Sequence, residues 1–242
     1  MNSSVTRKAL LDLEPPASAI THLIPMGANL PPSFATECAA QQASASEAGP
    51  SRPTLLFVGR VIEEKGVRDL LQAMPIICRE LPSATLTLVG EGQDRPAFEA
   101  LARELGIGNR VIFSGWMTTD ELVRAYRGAD IFIGPSHPPA SGGGEAQGLV
   151  FAEAMLAGTP VIATEVGGIV DAVIHEETGL LVPPHAPEAI AAAVIRLWRE
   201  PDLRQRLREQ ARRLACERFT RQASAQAFSR LFQRLLARGQ PS

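Results

Sequence analysis

Long apolar runs, cysteines and lysines are all scarce in this sequence of 242 residues. No stretch approaches the roughly eighteen consecutive apolar residues of a membrane span, and the polar opening lacks the apolar core of a signal peptide, so we expect a cytoplasmic protein. The cysteines Cys38, Cys78 and Cys216 are far apart and include no CxxC pair. This spacing argues against a zinc cluster and predicts reduced thiols.

A dinucleotide fingerprint and a metal-binding pattern are missing as well. Gly90–Gly92 reads GEG, but Arg95 occupies the place of the third glycine, so we reject an NAD site. The histidines show no metal-ligand spacing, and no DxD-like acidic pair follows a predicted strand. We therefore expect no metal. We expect each histidine to lie at the surface or to support a residue that contacts a ligand, and His137, in the glycine-rich loop, could itself contact a ligand.

Positive charge is concentrated near the C-terminus. Residues 196–238 contain twelve arginines and four acidic residues, a local charge of +8. The whole chain has a net charge of −2, so residues 1–195 carry −10. A solvated helical face is the simpler interpretation. The alternative is a surface that faces a phosphate-rich neighbour such as anionic lipid, which would place the protein at the inner face of the membrane. Nucleic acid is not an expected partner.

From Thr54 onward, short apolar runs alternate with segments of helical periodicity. The predicted strands are TLLFVG, ATLTLVG, RVIF, ADIFIGPS and PVIAT, and the predicted helices cover 67–80, 95–105, 118–127 and 149–156. This alternation predicts an α/β fold, a Rossmann-like parallel sheet with helices on both faces, followed by C-terminal helices. Ligands of such sheets bind at the carboxyl ends of the strands.

The stretch from Gly134 to Ala163 combines a glycine-rich loop, two carboxylates and a helix start. Glu145 and Glu153 have seven residues between them, a separation of roughly 12 Å if both lie along one helix axis. That distance suits a ligand with two polar ends and a charged middle. The free N–H groups of the helix start near Gly148 would attract an anion such as a diphosphate.

Two cations follow the first predicted strand in the segment GRVIEEKG. Arg60 can form a fork onto two phosphate oxygens, and Lys65, one of two lysines in the chain, adds a mobile point charge. The alternative is that both pair with Glu63, Glu64 or solvent. Together with the helix start near Gly148, the two cations could supply the positive potential that a metal provides elsewhere.

Five ordered motifs carry a family resemblance: FVGRVIEEKGV, LVGEGQDRPAFEALARELGIGNRVIFSGW, ADIFIGPS, EAQGLVFAEAMLAGTPVIATEVGGIVDAV and ETGLLVPP. They cover about Thr54 to Thr220 and resemble the C-terminal, donor-binding half of a GT-B glycosyltransferase of family 4. The resemblance implies retaining, metal-independent sugar transfer from a UDP- or GDP-sugar to a hydroxyl acceptor, without a cofactor. It also implies a place in polysaccharide, lipopolysaccharide or glycolipid synthesis.

The resemblance assigns three catalytic residues. Arg60 and Lys65 would hold the donor diphosphate. Glu145, the first carboxylate of the EX7E spacing, would contact the transferred sugar and stabilise its developing positive charge. The leaving phosphate would help to deprotonate the acceptor hydroxyl on the same face of the sugar.

The resemblance also assigns substrate-binding residues. Glu153, the second carboxylate, would bind the ribose hydroxyls. Gly148 and Leu149 would offer backbone N–H groups to the sugar and phosphate. The backbone around Ile112 would pack on the base, and Gly59 would approach the donor after the first strand.

The N-terminal part departs from the family pattern. The segment IPMGANL resembles the point at which the acceptor domain of the family passes to the donor domain. We therefore expect residues 1–35 to be a hinge or remnant of a missing acceptor domain, which a partner chain could supply. A flexible linker at 36–53, a donor-binding domain at 54–220 and a basic helix or tail at 221–242 would follow.

Two other functions remain open. One is a truncated module that binds a nucleotide-sugar without turnover, and slow donor hydrolysis or transfer would count against it. The other is a GT-B nucleotide-sugar epimerase, which would give product with no acceptor present. A phosphorylase would need a pyridoxal-phosphate lysine, and only Lys8 and Lys65 are available.

Overall fold

The computed structural model describes residues 1–14, 17–18, 20–28, 30, 52–138 and 146–238, and these contain a parallel sheet. Its strands are β1 (Thr54–Val58), β2 (Thr85–Val89), β3 (Val111–Gly115), β4 (Ile131–Gly134), β5 (Val161–Thr164) and β6 (Leu180–Val182). The strand order is β3-β2-β1-β4-β5-β6, and all five neighbouring pairs are parallel. Strand order therefore reverses between β1 and β4.

Helices connect the strands and continue beyond them. They are α1 (Ser4–Leu13), α2 (Val67–Glu80), α3 (Arg95–Glu104), α4 (Thr119–Gly128), α5 (Leu149–Ala157), α6 (Pro187–Arg199), α7 (Pro201–Arg218) and α8 (Arg221–Arg238). Two short 3-10 turns lie at Glu63–Lys65 and Gly167–Asp171. The predicted Rossmann-like fold is thereby confirmed.

The sheet is buried on both faces because its strands are apolar at successive positions. Leu55 packs into a core formed with α2, α3 and α6, whereas the next residue, Leu56, packs into a second core formed with α4, α5 and α7. Near-continuous apolar strands are what a parallel sheet with helices on both sides requires. Strand β6 was not predicted, because three residues are too few to show a pattern.

Local sequence sets the helix boundaries. Helix α4 begins with a capping box, in which the Thr118 hydroxyl and the Glu121 carboxylate each accept a hydrogen bond from the other residue's backbone N–H. Helix α5 lies between Gly148 and Gly158, both with left-handed backbone conformations. Six of its nine residues are buried, so it is a core helix without a polar face.

The C-terminal helices differ in burial. Helices α6 and α7 bury their apolar stripes against the rest of the domain. Helix α8 leaves Phe228, Phe232 and Leu236 exposed, with the two phenylalanine rings stacked at 6.3 Å between centroids. No helix in the described ranges is both long and apolar enough to cross a bilayer. The predicted domain bounds stay a prediction.

The N-terminal segment packs onto the sheet domain. At the start of α1, Ser4 donates hydrogen bonds from its N–H and hydroxyl to the Asp171 carboxylate at 2.7 and 2.6 Å. Most of the predicted linker, at 36–51, lies outside the described residues, as do Asn29 and Cys38.

The cysteines divide in their chemistry. Cys78 is a free, half-buried thiol, and burial raises its pKa above the ordinary value. Cys216 is disulfide-bonded, so the prediction of reduced thiols is wrong for that residue. Distance along the chain gave no information about which thiols approach in space.

Candidate functional site

The candidate site lies where the strand order reverses. Gly59 and Arg60 follow β1, and Pro135–His137 follow the neighbouring strand β4. In open parallel sheets this reversal leaves a crevice at the carboxyl ends of the two strands, because the connecting helices cover opposite faces. Arg60 and the loop that follows β4, called here the central loop, therefore lie at the same end of the sheet.

The loop after β1 packs backbone to backbone against the loop after β2. Gly59 N–H donates to the Val89 carbonyl at 3.0 Å, and Val61 N–H donates to the Glu91 carbonyl at 2.9 Å. A Cβ on Gly90 would lie 2.1 Å from the Gly59 carbonyl oxygen, so only glycine fits there. The GEG motif thus serves close loop packing in the described structure.

The turn that carries Lys65 contacts the loop after β4. Gly66 ends this turn with φ 69°, and a Cβ at Gly66 would lie 1.8 Å from the Pro135 carbonyl oxygen. His137 N–H donates to the Glu64 carbonyl at 2.8 Å. Lys65 is half-buried and takes part in a further interaction. The turn that carries Lys65 and the loop after β4 therefore form one continuous wall of the crevice.

Arg60 is available to a ligand. Its side chain is exposed and forms no ion pair with any other residue in the described ranges. Glu63, the alternative partner considered from the sequence, instead binds the Arg68 guanidinium at 2.6 Å. Because Glu63 pairs with Arg68, the Arg60 guanidinium remains exposed to solvent beside the crevice.

The start of α5 provides the expected backbone donors. Gly148 is the N-cap with φ 65°, and no side chain caps the helix there. The helix begins at Leu149, so Glu153 lies on it, whereas Glu145 lies outside the described residues. A separation measured along one helix axis therefore does not apply to the two carboxylates. Phe151 packs against Gly134, which keeps the helix start beside the end of β4.

Glu153 is oriented by a tyrosine that the sequence analysis missed. Its carboxylate is 7% exposed, and its Oε2 accepts a hydrogen bond from the Tyr126 hydroxyl at 3.0 Å. Tyr126 is fully buried on α4, and burial, followed by the Glu153 charge, raises the pKa of the phenol well above its ordinary value. The phenol therefore remains a donor to Glu153. No local pattern marks this pair, because 27 positions separate its members.

Ile112 lies away from the rim. It is the second residue of edge strand β3 and pairs with Thr87, three residues before the strand ends at Gly115. At about 3.3 Å per residue, Ile112 is roughly 10 Å short of the carboxyl end. Trp116 follows the strand directly and is 78% exposed. The structure thus brings an aromatic residue to the rim that the sequence analysis did not select.

The segment resembling the domain junction contacts the loop before α5. The Gln147 side chain is buried, accepts from Met26 N–H at 2.7 Å and donates to the Met26 carbonyl at 2.8 Å. Ala28 N–H donates to the Phe219 carbonyl at 2.8 Å. This backbone-like pairing fixes residues 24–28 next to the start of α5.

His137 is buried rather than exposed. Its side chain is 7% exposed and lies 2.7 Å from the Asp69 carboxylate, measured from Nε2 to Oδ2. His22 and His175 are exposed, as expected. The local sequence around His137 could not show that Asp69, on a different element, approaches it.

This strand order and the ligand crevice at its reversal define a Rossmann-like α/β protein. Residues 40–214 match the family described as glycosyl transferases group 1, so the chain belongs to the group 1 glycosyltransferase family. The resemblance that the five sequence motifs carry is therefore confirmed as far as membership of a glycosyltransferase family.

Two curated relatives come from Mycobacterium tuberculosis. GDP-mannose-dependent alpha-(1-6)-phosphatidylinositol monomannoside mannosyltransferase is 37% identical over 152 residues, which is 62% of this chain and 40% of that protein. Glycogen synthase is 35% identical over 178 residues, which is 74% of this chain and 42% of that protein. The chain thus spans about two fifths of the length of these relatives.

Solved structures agree on the fold. Sucrose-phosphate synthase from Thermosynechococcus elongatus aligns with a TM-score of 0.77 at 33% identity, over 98% of this chain and 58% of that one. Anabaena HepE in complex with UDP and glucose aligns with a TM-score of 0.76 at 23% identity, over 96% of this chain and 61% of that one. The second likeness concerns the fold alone. The fold is of the GT-B type.

Proposed function

We propose that this chain is the donor-binding part of a retaining, family 4 glycosyltransferase that uses a UDP- or GDP-sugar. The observation that carries the proposal is the single wall formed by the Lys65 turn and the loop after β4, with exposed Arg60 at one side and the uncapped start of α5 at the other. Cations and free backbone N–H groups along one crevice suit a diphosphate.

Each group has a distinct part in the proposed reaction. Arg60 and Lys65 bind the diphosphate and stabilise the charge that develops on the leaving group. Glu153 accepts hydrogen bonds from the ribose hydroxyls, with Tyr126 holding its carboxylate in place. Glu145 stabilises the positive charge on the transferred sugar. The departing phosphate takes the proton of the acceptor hydroxyl, and attack on the same face gives retention.

The proposed chemistry needs no metal at the diphosphate and no cofactor. Two cationic side chains and the N–H groups of Leu149 and its neighbour balance the negative charge that a metal balances elsewhere. For the base we propose a position at the carboxyl end of β3, since exposed Trp116 offers an aromatic face there. This position replaces Ile112 as the proposed base contact.

The acceptor and the cellular setting are proposed from the family. A sugar or a lipid-linked hydroxyl would serve as acceptor in polysaccharide, lipopolysaccharide or glycolipid synthesis. The mannosyltransferase relative is named for a phosphatidylinositol mannoside, which is an acceptor of that kind. Acceptor contacts would come from the acceptor domain of the whole enzyme or from a partner chain.

Thermal unfolding with nucleotide tests the donor site. UDP or GDP at about 100 times its dissociation constant should stabilise the chain by about 2.7 kcal/mol, a rise in Tm of roughly 5–10 °C. Arg60→Ala removes a charge-assisted contact of about 1.5–3 kcal/mol and should weaken binding by roughly 10- to 100-fold, which removes about half of the shift at the lower bound and most of it at the upper. Lys65→Ala should act in the same direction.

Matched controls exist for both cations. Arg52 is also exposed but precedes β1, so it lies at the opposite end of the same strand from Arg60. Lys8, the only other lysine, is exposed on α1. Arg52→Ala and Lys8→Ala should leave the nucleotide shift unchanged. A wild-type Tm that neither UDP nor GDP moves at millimolar concentration would remove the support for a donor site.

A further inference from the structure

Three potential metal ligands meet beside the Lys65 turn, although they lie far apart in the sequence. Asp69 is in the first turn of α2, His137 follows β4, and His185 precedes α6. One donor atom from each residue lies within 4.8 Å of the others. The first two side chains are 8% and 7% exposed and lie 2.7 Å apart, whereas His185 is exposed and its ring centroid is 3.8 Å from that of His137.

We propose that Asp69, His137 and His185 bind a divalent transition metal, with zinc as the expected ion. Two imidazole nitrogens and one carboxylate oxygen form a donor set that zinc accepts readily, whereas magnesium and calcium prefer oxygen ligands alone. Three protein ligands leave a fourth position for water in a tetrahedral site.

The ligand distances need only a small adjustment. Bonds of about 2.0–2.1 Å to zinc place tetrahedral ligand atoms roughly 3.3 Å apart. The hydrogen bond between Asp69 and His137 would therefore open by roughly 0.6 Å, with the ring proton of His137 on Nδ1. His185 is exposed, so its side chain is free to close the remaining distance.

The backbone of His185 supports a role for its side chain. Its φ of 56° lies in the left-handed region, where glycine is the least costly residue. A histidine held in that conformation, with its ring against a buried histidine, indicates a function for the imidazole. Fold stability alone would be served by glycine at this turn.

The site would join three connections of the sheet domain. Asp69 belongs to the helix that follows the Lys65 turn, His137 to the central loop, and His185 to the connection after β6. The His137 N–H already bonds to the Glu64 carbonyl, one residue before Lys65. A bound metal would therefore fix the wall of the crevice. This inference does not depend on nucleotide binding, and no reaction step passes through the metal.

Calorimetric titration of chelator-treated, tag-free protein with zinc chloride tests the site. We expect one zinc ion per chain and a rise in Tm of about 5 °C at 100 times the dissociation constant. Magnesium chloride at the same concentration should give neither signal. His185→Gly removes an exposed ligand at a position whose φ suits glycine, so the variant should fold and bind zinc about 100-fold more weakly.

His22→Ala is the matched control, since it removes an exposed histidine from the N-terminal segment and should leave zinc affinity unchanged. Asp69→Asn is a second ligand variant, with circular dichroism to confirm its fold, and should also weaken zinc binding. Wild-type protein that takes up no zinc, or takes it up with the affinity of His185→Gly, would overturn the proposal. In that case the cluster is a hydrogen-bonded pair with a neighbouring histidine ring in contact.

Discussion

Replacing Tyr126 with phenylalanine removes one hydroxyl and keeps the ring in its place. The ring packs against Phe132 at 5.7 Å between centroids, so the aromatic contact should survive. The Tyr126 hydroxyl donates a hydrogen bond to Glu153 Oε2 at 3.0 Å, and both residues are buried. Tyr126→Phe therefore tests one hydrogen bond to a buried carboxylate.

The expected cost follows from the charge on the acceptor. A hydrogen bond to a charged group contributes about 1.5–3 kcal/mol, and the carboxylate left behind loses a partner in a site that water reaches poorly. For a chain of this size the loss should lower Tm by roughly 3–12 °C. A looser Glu153 carboxylate should also weaken UDP or GDP binding, because its position against the ribose is no longer fixed.

Urea unfolding and nucleotide titration of the wild type, Tyr126→Phe and Glu153→Gln provide the assay. The double variant completes a cycle, and the two changes should be strongly non-additive because the residues share one hydrogen bond. If Tyr126→Phe loses less than about 0.5 kcal/mol and binds nucleotide as the wild type does, the hydrogen bond does not position Glu153. Contacts other than the Tyr126 hydroxyl would then hold the Glu153 carboxylate in place.

The same pair gives a pH dependence with a definite sign. Burial and the Glu153 charge raise the pKa of Tyr126 in the folded chain. Above the ordinary tyrosine pKa of about 10, the folded chain keeps a proton that the unfolded chain has lost, so stability should fall as pH rises beyond about 10. Tyr126 is the only tyrosine, so phenolate absorbance reports it alone. Glu153→Gln should lower that pKa.

Two further predictions concern a turn and a surface. Gly66→Ala should lower the free energy of unfolding in urea by at least about 2 kcal/mol, because its Cβ would meet the Pro135 backbone. Gly106→Ala is the control: Gly106 has a similar φ of 71° but open space around it, so the loss should be about 1 kcal/mol. Equal losses would refute the steric argument. Helix α8 should bind anionic vesicles weakly, and added salt should weaken that binding. The double variant Phe228→Ser, Phe232→Ser should also reduce it. Equal binding to neutral vesicles would indicate that exposed apolar surface, and not charge, causes the binding.

Helices were predicted well where local signals were strong. The apolar period predicted the bounds of α2, and α4 begins after its capping residue Thr118; both signals lie within a few residues of the boundary. Strand β6 was missed, because a three-residue strand shows no period. The base contact predicted around Ile112 stays a prediction, because the apolar pattern of a strand does not show how far the strand extends past that residue.

The sequence by itself determined the alternation of strands and helices and the family motifs. These are properties of short stretches, and each can be recognised without knowledge of any other part of the chain. Only the tertiary structure decided which side chains meet. Tyr126 and Glu153 are 27 positions apart, His137 and Asp69 are 68 apart, and Gln147 and Met26 are 121 apart. Such contacts depend on strand order and crossover direction, which bring distant loops to one rim and leave no periodic trace in the sequence.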